Sequence, residues 1–198
     1  LRKPPQAVRY LSGRGLSEKT ILHLGLGYAP EGWDNLLRHL EQKGYTKPDV
    51  KRAGLAAVNQ GGRYYDYFRG RIMFPIIDVR GNVVGFGGRV LDDSKPKYLN
   101  SPDTPVFKKS RSLFSLCNAK GTREGQLILA EGYLDVISLY QAGFAQAVAT
   151  LGTALTSEQA RLMNRYAKEV VIAYDMDEVG RRATQRTSDR LTAEGLKL

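Results

Sequence analysis

The amino-acid sequence predicts an α/β protein, in which an α+β N-terminal subdomain precedes a parallel α/β sheet. Three observations support this prediction: helical patterns in the first 58 residues, β-rich runs from residue 68, and alternation of strands with helices after residue 126. The chain has 198 residues, which corresponds to one or two domains at about 150 residues each. We therefore predict an N-terminal helical and basic subdomain over 1–122 and an α/β domain over 123–198.

Short helices are predicted in the first subdomain. Residues 6–14 are expected to form a helix that glycine ends, and Ser17 is the expected N-cap of a second helix over 18–24. Residues 47–53 form another short helix. Between them, a helix with one buried stripe is predicted by apolar residues at spacings of three and four, namely Trp33, Leu36, Leu37 and Leu40.

Two β-rich runs follow, 71–78 and 83–91, and the residues between them predict a hairpin turn. Because Pro75 cannot donate a backbone hydrogen bond, it predicts that the first run is an edge or bulged strand. Residues 97–102 are predicted to form a polar, turn-rich segment rather than a regular element.

The last third of the chain alternates apolar strands with helices. The strands are 126–130, 145–150 and 169–174, and the helices are 133–142, 156–166 and 179–193. Thr156 and Gln159 have the spacing of a capping box. Strands that are apolar throughout and alternate with helices are typical of a parallel sheet covered on both faces.

Composition excludes several classes of protein. Hydrophobic residues make up 42% of the chain, which is too many for a disordered tail. No apolar run approaches the roughly 18 residues that span a bilayer, so we expect no membrane partner. The single cysteine, Cys117, excludes an internal disulfide framework and favours a cytoplasmic protein. Lys and Arg outnumber Asp and Glu by 30 to 20, which suggests a polyanionic partner.

The positive charge is concentrated between residues 61 and 111, where ten Lys or Arg face five Asp. Aromatic residues are interleaved with these cations, namely Tyr64, Tyr65, Tyr67, Phe68, Tyr98 and Phe107. Aromatic rings stack on bases while cations contact phosphates, so the segment predicts a nucleic-acid interface. The alternative is a solvated surface whose aromatic residues belong to the core.

Acidic residues follow two of the predicted strands directly. Glu131 comes after 126–130, and Asp175 and Asp177 come at the end of 169–174. Because ligands of open α/β sheets bind beyond the carboxyl ends of the strands, these acids are expected to share one crevice. Clustered carboxylates favour Mg²⁺, and Asp135, one helical turn after Glu131, could orient the site. The alternative is that Asp175 caps the following helix and Glu131 the helix after its own strand.

Several motifs carry a family resemblance, in the same order along the chain. They are FRGRIMFPI at 68–76, GFGGR at 85–89, PKYLNSP at 96–102, FKK at 107–109, EGYLD at 131–135, ATLGTA at 149–154 and YDMDEVG at 174–180. The acidic motifs resemble the TOPRIM fold, the metal-binding domain shared by topoisomerases and bacterial primases. The whole set, over nearly the whole chain, is similar to bacterial DNA primases of the DnaG type.

The resemblance implies a nucleotidyltransferase that synthesises short RNA primers on single-stranded DNA during replication, from ribonucleoside triphosphates. It implies that Glu131, Asp175 and Asp177 are the catalytic and metal-binding acids, supported by Asp135. It also implies nucleic-acid or nucleotide contacts by six residues, namely Arg69, Arg71, Arg89, Lys97, Asn100 and Lys109. The implied cofactor is Mg²⁺, with Mn²⁺ as a substitute.

Other expectations concern what lies outside this chain. Zinc is expected only in an N-terminal domain that the chain lacks, and the replicative helicase is expected to bind an absent C-terminal domain. The chain ends at Leu198, before the remaining TOPRIM strands, so we expect a fragment with little or no activity of its own. We also expect the protein to be a monomer. Val179 also replaces the alanine usual before Gly180. The alternatives are a TOPRIM nuclease or topoisomerase and a non-catalytic fragment that binds single-stranded DNA.

Overall fold

The computed structural model describes residues 5–122, 125–152 and 154–198. The backbone divides into two compact units: the first contains Leu1–Pro75 and Val84–Lys108, and the second contains Ile76–Val83 and Lys109–Leu198. The boundary expected between residues 122 and 123 stays a prediction, and residues 123 and 124 lie outside the described residues. Within the described ranges, no helix has the length and apolarity needed to cross a membrane.

The first unit begins with short helices and strands, as the sequence predicts. They are α1 (Pro5–Gly13), α2 (Glu18–His23), β1 (Gly27–Ala29), α3 (Asn35–Gln42), α4 (Lys47–Arg52), β2 (Ala56–Val58) and β3 (Tyr64–Asp66). The predicted cap is confirmed, because the Ser17 hydroxyl accepts a hydrogen bond from the Thr20 N–H at 3.1 Å. The predicted apolar stripe is only partly right: Leu37 is buried, but Trp33 precedes α3 and is 61% exposed.

A four-stranded sheet has the order β1-β4-β5-β6, with β4 at Arg71–Ile77, β5 at Val83–Val90 and β6 at Tyr98–Asn100. β4 is therefore an interior strand of this sheet, and the prediction of an edge strand is wrong for its first half. However, β1 pairs only with Arg71–Met73 of β4, so Pro75 lies beyond the residues that pair with β1. Residues 98–100 form a strand paired with Gly87–Arg89, which corrects the prediction of an irregular segment.

The second unit contains a three-stranded sheet between helices. After a 3₁₀ turn (Lys109–Arg111), its elements are α5 (Leu116–Ala119), β7 (Gln126–Ala130), α6 (Tyr133–Gln141), β8 (Ala147–Ala149), α7 (Ser157–Asn164), β9 (Glu169–Ala173) and α8 (Glu178–Ala193). The strand order is β8-β7-β9 and both pairings are parallel, as predicted. Thr156 and Gln159 form the predicted capping box of α7.

The core of the second unit packs around its central strand. Leu127 and Leu129 of β7 lie in one cluster with Val148, Met163 and Leu191, and each of these side chains is almost fully buried. β9 differs from the prediction of a strand covered on both faces, because its alternate residues are exposed. The residues that follow β7 and β9 are consequently held at the edge of a packed sheet.

Candidate functional site

Two of the predicted acids come together at the ends of neighbouring strands. β7 and β9 run parallel in a register that pairs Ala130 with Ala173. Glu131 and Asp175 therefore leave the sheet at the same edge. Oε1 of Glu131 accepts a hydrogen bond from the backbone N–H of Asp175 at 2.9 Å. This contact holds Glu131 against the loop that carries Asp175 and Asp177.

Asp177 forms the N-cap of α8. Its Oδ1 accepts a hydrogen bond from the Gly180 N–H at 2.7 Å, so the cap is Asp177 and not Asp175, which the structural alternative proposed. Gly180 allows the acidic loop to lie close to the helix, since a Cβ there would be 1.9 Å from the Asp175 carbonyl oxygen. The neighbouring Val179 is 73% exposed, so its larger side chain does not enter this close packing.

Asp135 stabilises the first turn of α6. Its Oδ2 accepts a hydrogen bond from the Gly132 N–H at 3.0 Å, and Gly132 is the N-cap of that helix. Because Glu131 directly precedes Gly132, the contact restrains the backbone from which Glu131 extends.

A cavity of about 930 Å³ opens beside Glu131 and is lined by residues of α8, including Arg186 and Arg190. The sequence analysis did not single out these two arginines, although their spacing of four places them on one helix face. Tyr174 also lines the cavity, and burial raises the pKa of its hydroxyl. Thr153, in the ATLGTA motif, lies outside the described residues.

The donor set fits a hard divalent cation. Glu131, Asp135, Asp175 and Asp177 are all exposed and offer the carboxylate oxygens that Mg²⁺ prefers. Across residues 5–122, 125–152 and 154–198, no three His, Cys, Asp or Glu side chains are grouped so that they could hold a metal ion. Mg²⁺ commonly uses one or two carboxylates together with waters and substrate phosphates. The residues present therefore fit an open site better than a closed cage of three carboxylates.

Two of the predicted nucleic-acid contacts, Arg71 and Arg89, are buried in the first unit, and each residue is only 7% exposed. Burial lowers the pKa of Arg71, whose guanidinium donates to backbone carbonyls. The Arg89 guanidinium lies between the rings of Tyr10 and Tyr98 and donates a hydrogen bond to the Tyr98 hydroxyl. Both groups are thus held within the protein.

Arg69 belongs to a cluster of a cation and aromatic rings that sequence analysis did not identify. Its Cζ lies 4.3 Å from the ring centroid of Trp33 and 5.1 Å from that of Tyr65. The two rings meet edge to face with centroids 5.7 Å apart. The apolar spacing predicts Trp33 in a helix stripe, but the Asp34-Asn35 pair after it is a helix-start pattern, which excludes Trp33 from the helix.

The remaining predicted contacts differ in exposure. Lys97 is exposed directly before β6, whereas Asn100 and Lys109 are half-buried. The Asn100 carbonyl accepts a hydrogen bond from the Tyr67 hydroxyl, and the Lys109 carbonyl accepts one from the Gln159 amide. Of the predicted aromatic contacts, Phe68 and Phe107 are buried in the core.

The parallel sheet with acids at its strand ends defines the second unit as Toprim-like, and the Toprim-like family model matches residues 128–198. The model of the DNA primase catalytic core, N-terminal domain, matches residues 1–120. The chain belongs to this DNA primase family, and the resemblance predicted from the motifs is confirmed.

Individual relatives agree with this assignment. The DNA primase of Deinococcus radiodurans is 52% identical over 192 residues, which cover 95% of this chain and 34% of the relative. The structure of the zinc-binding and RNA polymerase domains of Aquifex aeolicus primase is 40% identical with a TM-score of 0.91, covering 98% of this chain and 48% of that one. A DnaG primase catalytic domain bound to ssDNA is 43% identical with a TM-score of 0.84, covering 92% and 57%. The chain spans about a third of the length of the curated relatives it matches.

Proposed function

We propose that this chain forms part of the catalytic core of a DNA primase, which copies single-stranded DNA into a short RNA primer. The observation that carries the proposal is the contact between Glu131 and Asp175 at the ends of adjacent strands, in a chain whose relatives are named DNA primase. In the proposed reaction, the 3′-hydroxyl of the primer attacks the α-phosphorus of a ribonucleoside triphosphate, and pyrophosphate leaves.

Glu131, Asp175 and Asp177 are the candidate ligands of Mg²⁺, or of Mn²⁺ in its place, and one or two of them would hold the ion together with waters and substrate phosphates. A bound divalent cation lowers the pKa of an attacking hydroxyl and neutralises charge on the transferred phosphate. The chain itself orients the acids: the Asp175 N–H restrains Glu131, and the Gly180 N–H restrains Asp177. Asp135 supports the site through the first turn of α6.

The nucleic acid is proposed to bind the chain through phosphates and bases. Arg69, Lys97, Asn100 and Lys109 are the candidates for direct contact, since Arg71 and Arg89 are buried. The exposed ring of Trp33, together with Tyr65, offers an aromatic surface on which bases can stack. The expectations of a helicase partner, of zinc and of a monomer concern features that this chain does not test, and they stay predictions.

The nuclease or topoisomerase alternative uses the same acids but cuts the DNA backbone. A topoisomerase also needs a nucleophilic tyrosine, and Tyr174 is the tyrosine that lines the cavity with Glu131. Burial raises the pKa of the Tyr174 hydroxyl, which makes the phenolate less available. The relatives named DNA primase favour primer synthesis over cleavage.

A chimeric enzyme tests the proposed function directly. This chain would replace the matching 192 residues of the Deinococcus radiodurans primase, and RNA synthesis would be measured on single-stranded DNA with labelled ribonucleotides and Mg²⁺. We expect RNA products that the Glu131→Gln chimera does not make. A folded chimera that binds DNA without making RNA contradicts the proposal and favours the alternative of a non-catalytic DNA-binding fragment. A chimera that cuts the DNA favours the alternative of a nuclease or topoisomerase.

A further inference from the structure

Arg71 is the predicted nucleic-acid contact whose surroundings conflict most with a direct contact. It is the first residue of β4, and the residue is only 7% exposed. A guanidinium that contacts a phosphate needs donors directed to solvent, because five N–H groups in a fixed fork must reach the anion. In Arg71 the Nη1 donor is directed at backbone carbonyls of the first unit instead.

The Arg71 donors are directed at the segment that carries Lys97. Nη1 donates to the Pro96 carbonyl at 2.9 Å, with longer contacts to the carbonyls of Lys97 at 3.4 Å and Gly88 at 3.5 Å. The Lys97 carbonyl also accepts the Val90 N–H at 3.2 Å. Hydrogen bonds from an ionised donor are stronger than neutral ones. Arg71 therefore restrains the backbone on both sides of the Pro96–Lys97 peptide bond.

The space for the Arg71 side chain is created by a glycine. A Cβ at Gly88 would lie 3.0 Å from Cδ of Arg71 and 2.9 Å from Cδ1 of Phe68, so a larger residue would displace one of them. The buried path of the Arg71 side chain is thus built into β5. Lys97, in contrast, has an exposed side chain on the restrained segment.

We propose that Arg71 is a positioning residue, which holds the backbone of Pro96 and Lys97 and thereby presents the Lys97 ammonium to a phosphate of single-stranded DNA. This inference rests on the proposed function, because it assumes that Lys97 contacts nucleic acid. It changes the role of Arg71 from a direct contact to a support for another residue.

The test measures how the affinity for a labelled single-stranded oligothymidine depends on salt, by fluorescence anisotropy. Each phosphate contact adds about 0.7 to the slope of log K against log salt on single strands, which is about a 5-fold change in affinity at 0.1 M salt. The chains compared are the parent, Lys97→Ala, Arg71→Met and the double variant. Arg80→Met is the matched control, since Arg80 is an exposed cation in the turn between β4 and β5.

If Arg71 acts through Lys97, the double variant has the same slope as Lys97→Ala, about 0.7 below the parent. If Arg71 binds a phosphate itself, the slope of the double variant falls by about 1.4, and the proposal is overturned. An Arg71→Met chain that binds like the parent also overturns it. If the affinity of the parent chain does not depend on salt, both the proposed phosphate contacts and the role of Arg71 are contradicted.

Arg71→Lys keeps the test decisive if Arg71→Met does not fold. An ammonium preserves the charge but cannot reproduce the guanidinium fork. The positioning role predicts a lower affinity for Arg71→Lys and no such loss when Lys97 is already alanine. A direct contact predicts an unchanged slope and the same affinity ratio in both backgrounds. The proposed function is tested separately, by comparing RNA synthesis by the chimera with RNA synthesis by its Glu131→Gln variant.

Discussion

Gly180→Ala is expected to displace the acidic loop at the end of β9. A Cβ at this position would lie 1.9 Å from the Asp175 carbonyl oxygen and 2.8 Å from its carbonyl carbon, and real Cβ contacts essentially never fall below 3.0 Å. The backbone of Asp175 therefore has to move by about 1.1 Å. The same backbone donates the N–H that holds Glu131, so the displacement reaches both acids.

Two opposite effects on stability can be compared at this residue. In a helix, replacing glycine with alanine is ordinarily favourable by about 1 kcal/mol. Overpacking of a close contact typically costs about 1–3 kcal/mol, and here the contact is with backbone, which cannot rotate away. We expect the clash to outweigh the gain in helix propensity. Each kcal/mol of stability lost then lowers the melting temperature by about 2–4 °C in a chain of this size. A misplacement near 1 Å at a reacting centre costs about 100-fold in rate.

The measurements are thermal unfolding of the chain and RNA synthesis by the chimera. Gly121→Ala is the matched control, because Gly121 belongs to the same unit and a Cβ there would meet no atom within 4 Å. A Gly180→Ala chain that melts at or above the parent temperature, in a chimera of undiminished activity, would refute the reasoning.

Two further predictions separate stability from function. Asp177→Asn keeps an N-cap while Asp177→Ala removes it, so only the alanine variant should lose about 1 kcal/mol of stability, measured by thermal unfolding. Both should bind Mn²⁺ more weakly by titration, and retained binding in Asp177→Asn would exclude Asp177 as a ligand. Trp33 is the only tryptophan in the chain, so its fluorescence should be quenched by single-stranded DNA if a base stacks on it. Trp33→Ala should weaken binding by about 1–3 kcal/mol per stacked base with an unchanged salt slope, whereas a changed slope would point to lost ionic contacts.

Local sequence patterns predicted the regular elements well. Capping by Ser17, the Thr156–Gln159 capping box and the parallel strands β7, β8 and β9 were all predicted correctly. These features depend on residues within a few positions of one another, or on the apolarity of a short run. Of the three acids expected to share one crevice, Glu131 and Asp175 do meet, because parallel strands deliver the residues that follow them to one edge of the sheet.

Patterns of charge predicted the basic side chains but not their surroundings. Arg71 and Arg89 are as cationic in the sequence as Arg69 and Lys97, yet the first two are buried and the others are accessible to different degrees. The difference arises from partners that are distant in the chain, such as Pro96 for Arg71 and Tyr10 for Arg89. Charge alone cannot distinguish a phosphate contact from a support inside the fold.

The amino-acid sequence by itself determined the order of the elements and the acidic residues at the ends of β7 and β9, because each is encoded in local spacing, and its motifs carried the resemblance to the family. Only the tertiary structure decided that Glu131 accepts the Asp175 N–H, that Trp33 packs with Arg69 and that Arg71 holds the segment before β6. The physical reason is that a hydrogen bond or a ring contact depends on which strand or helix lies next to a residue, and that neighbour is selected by the packing of the whole unit.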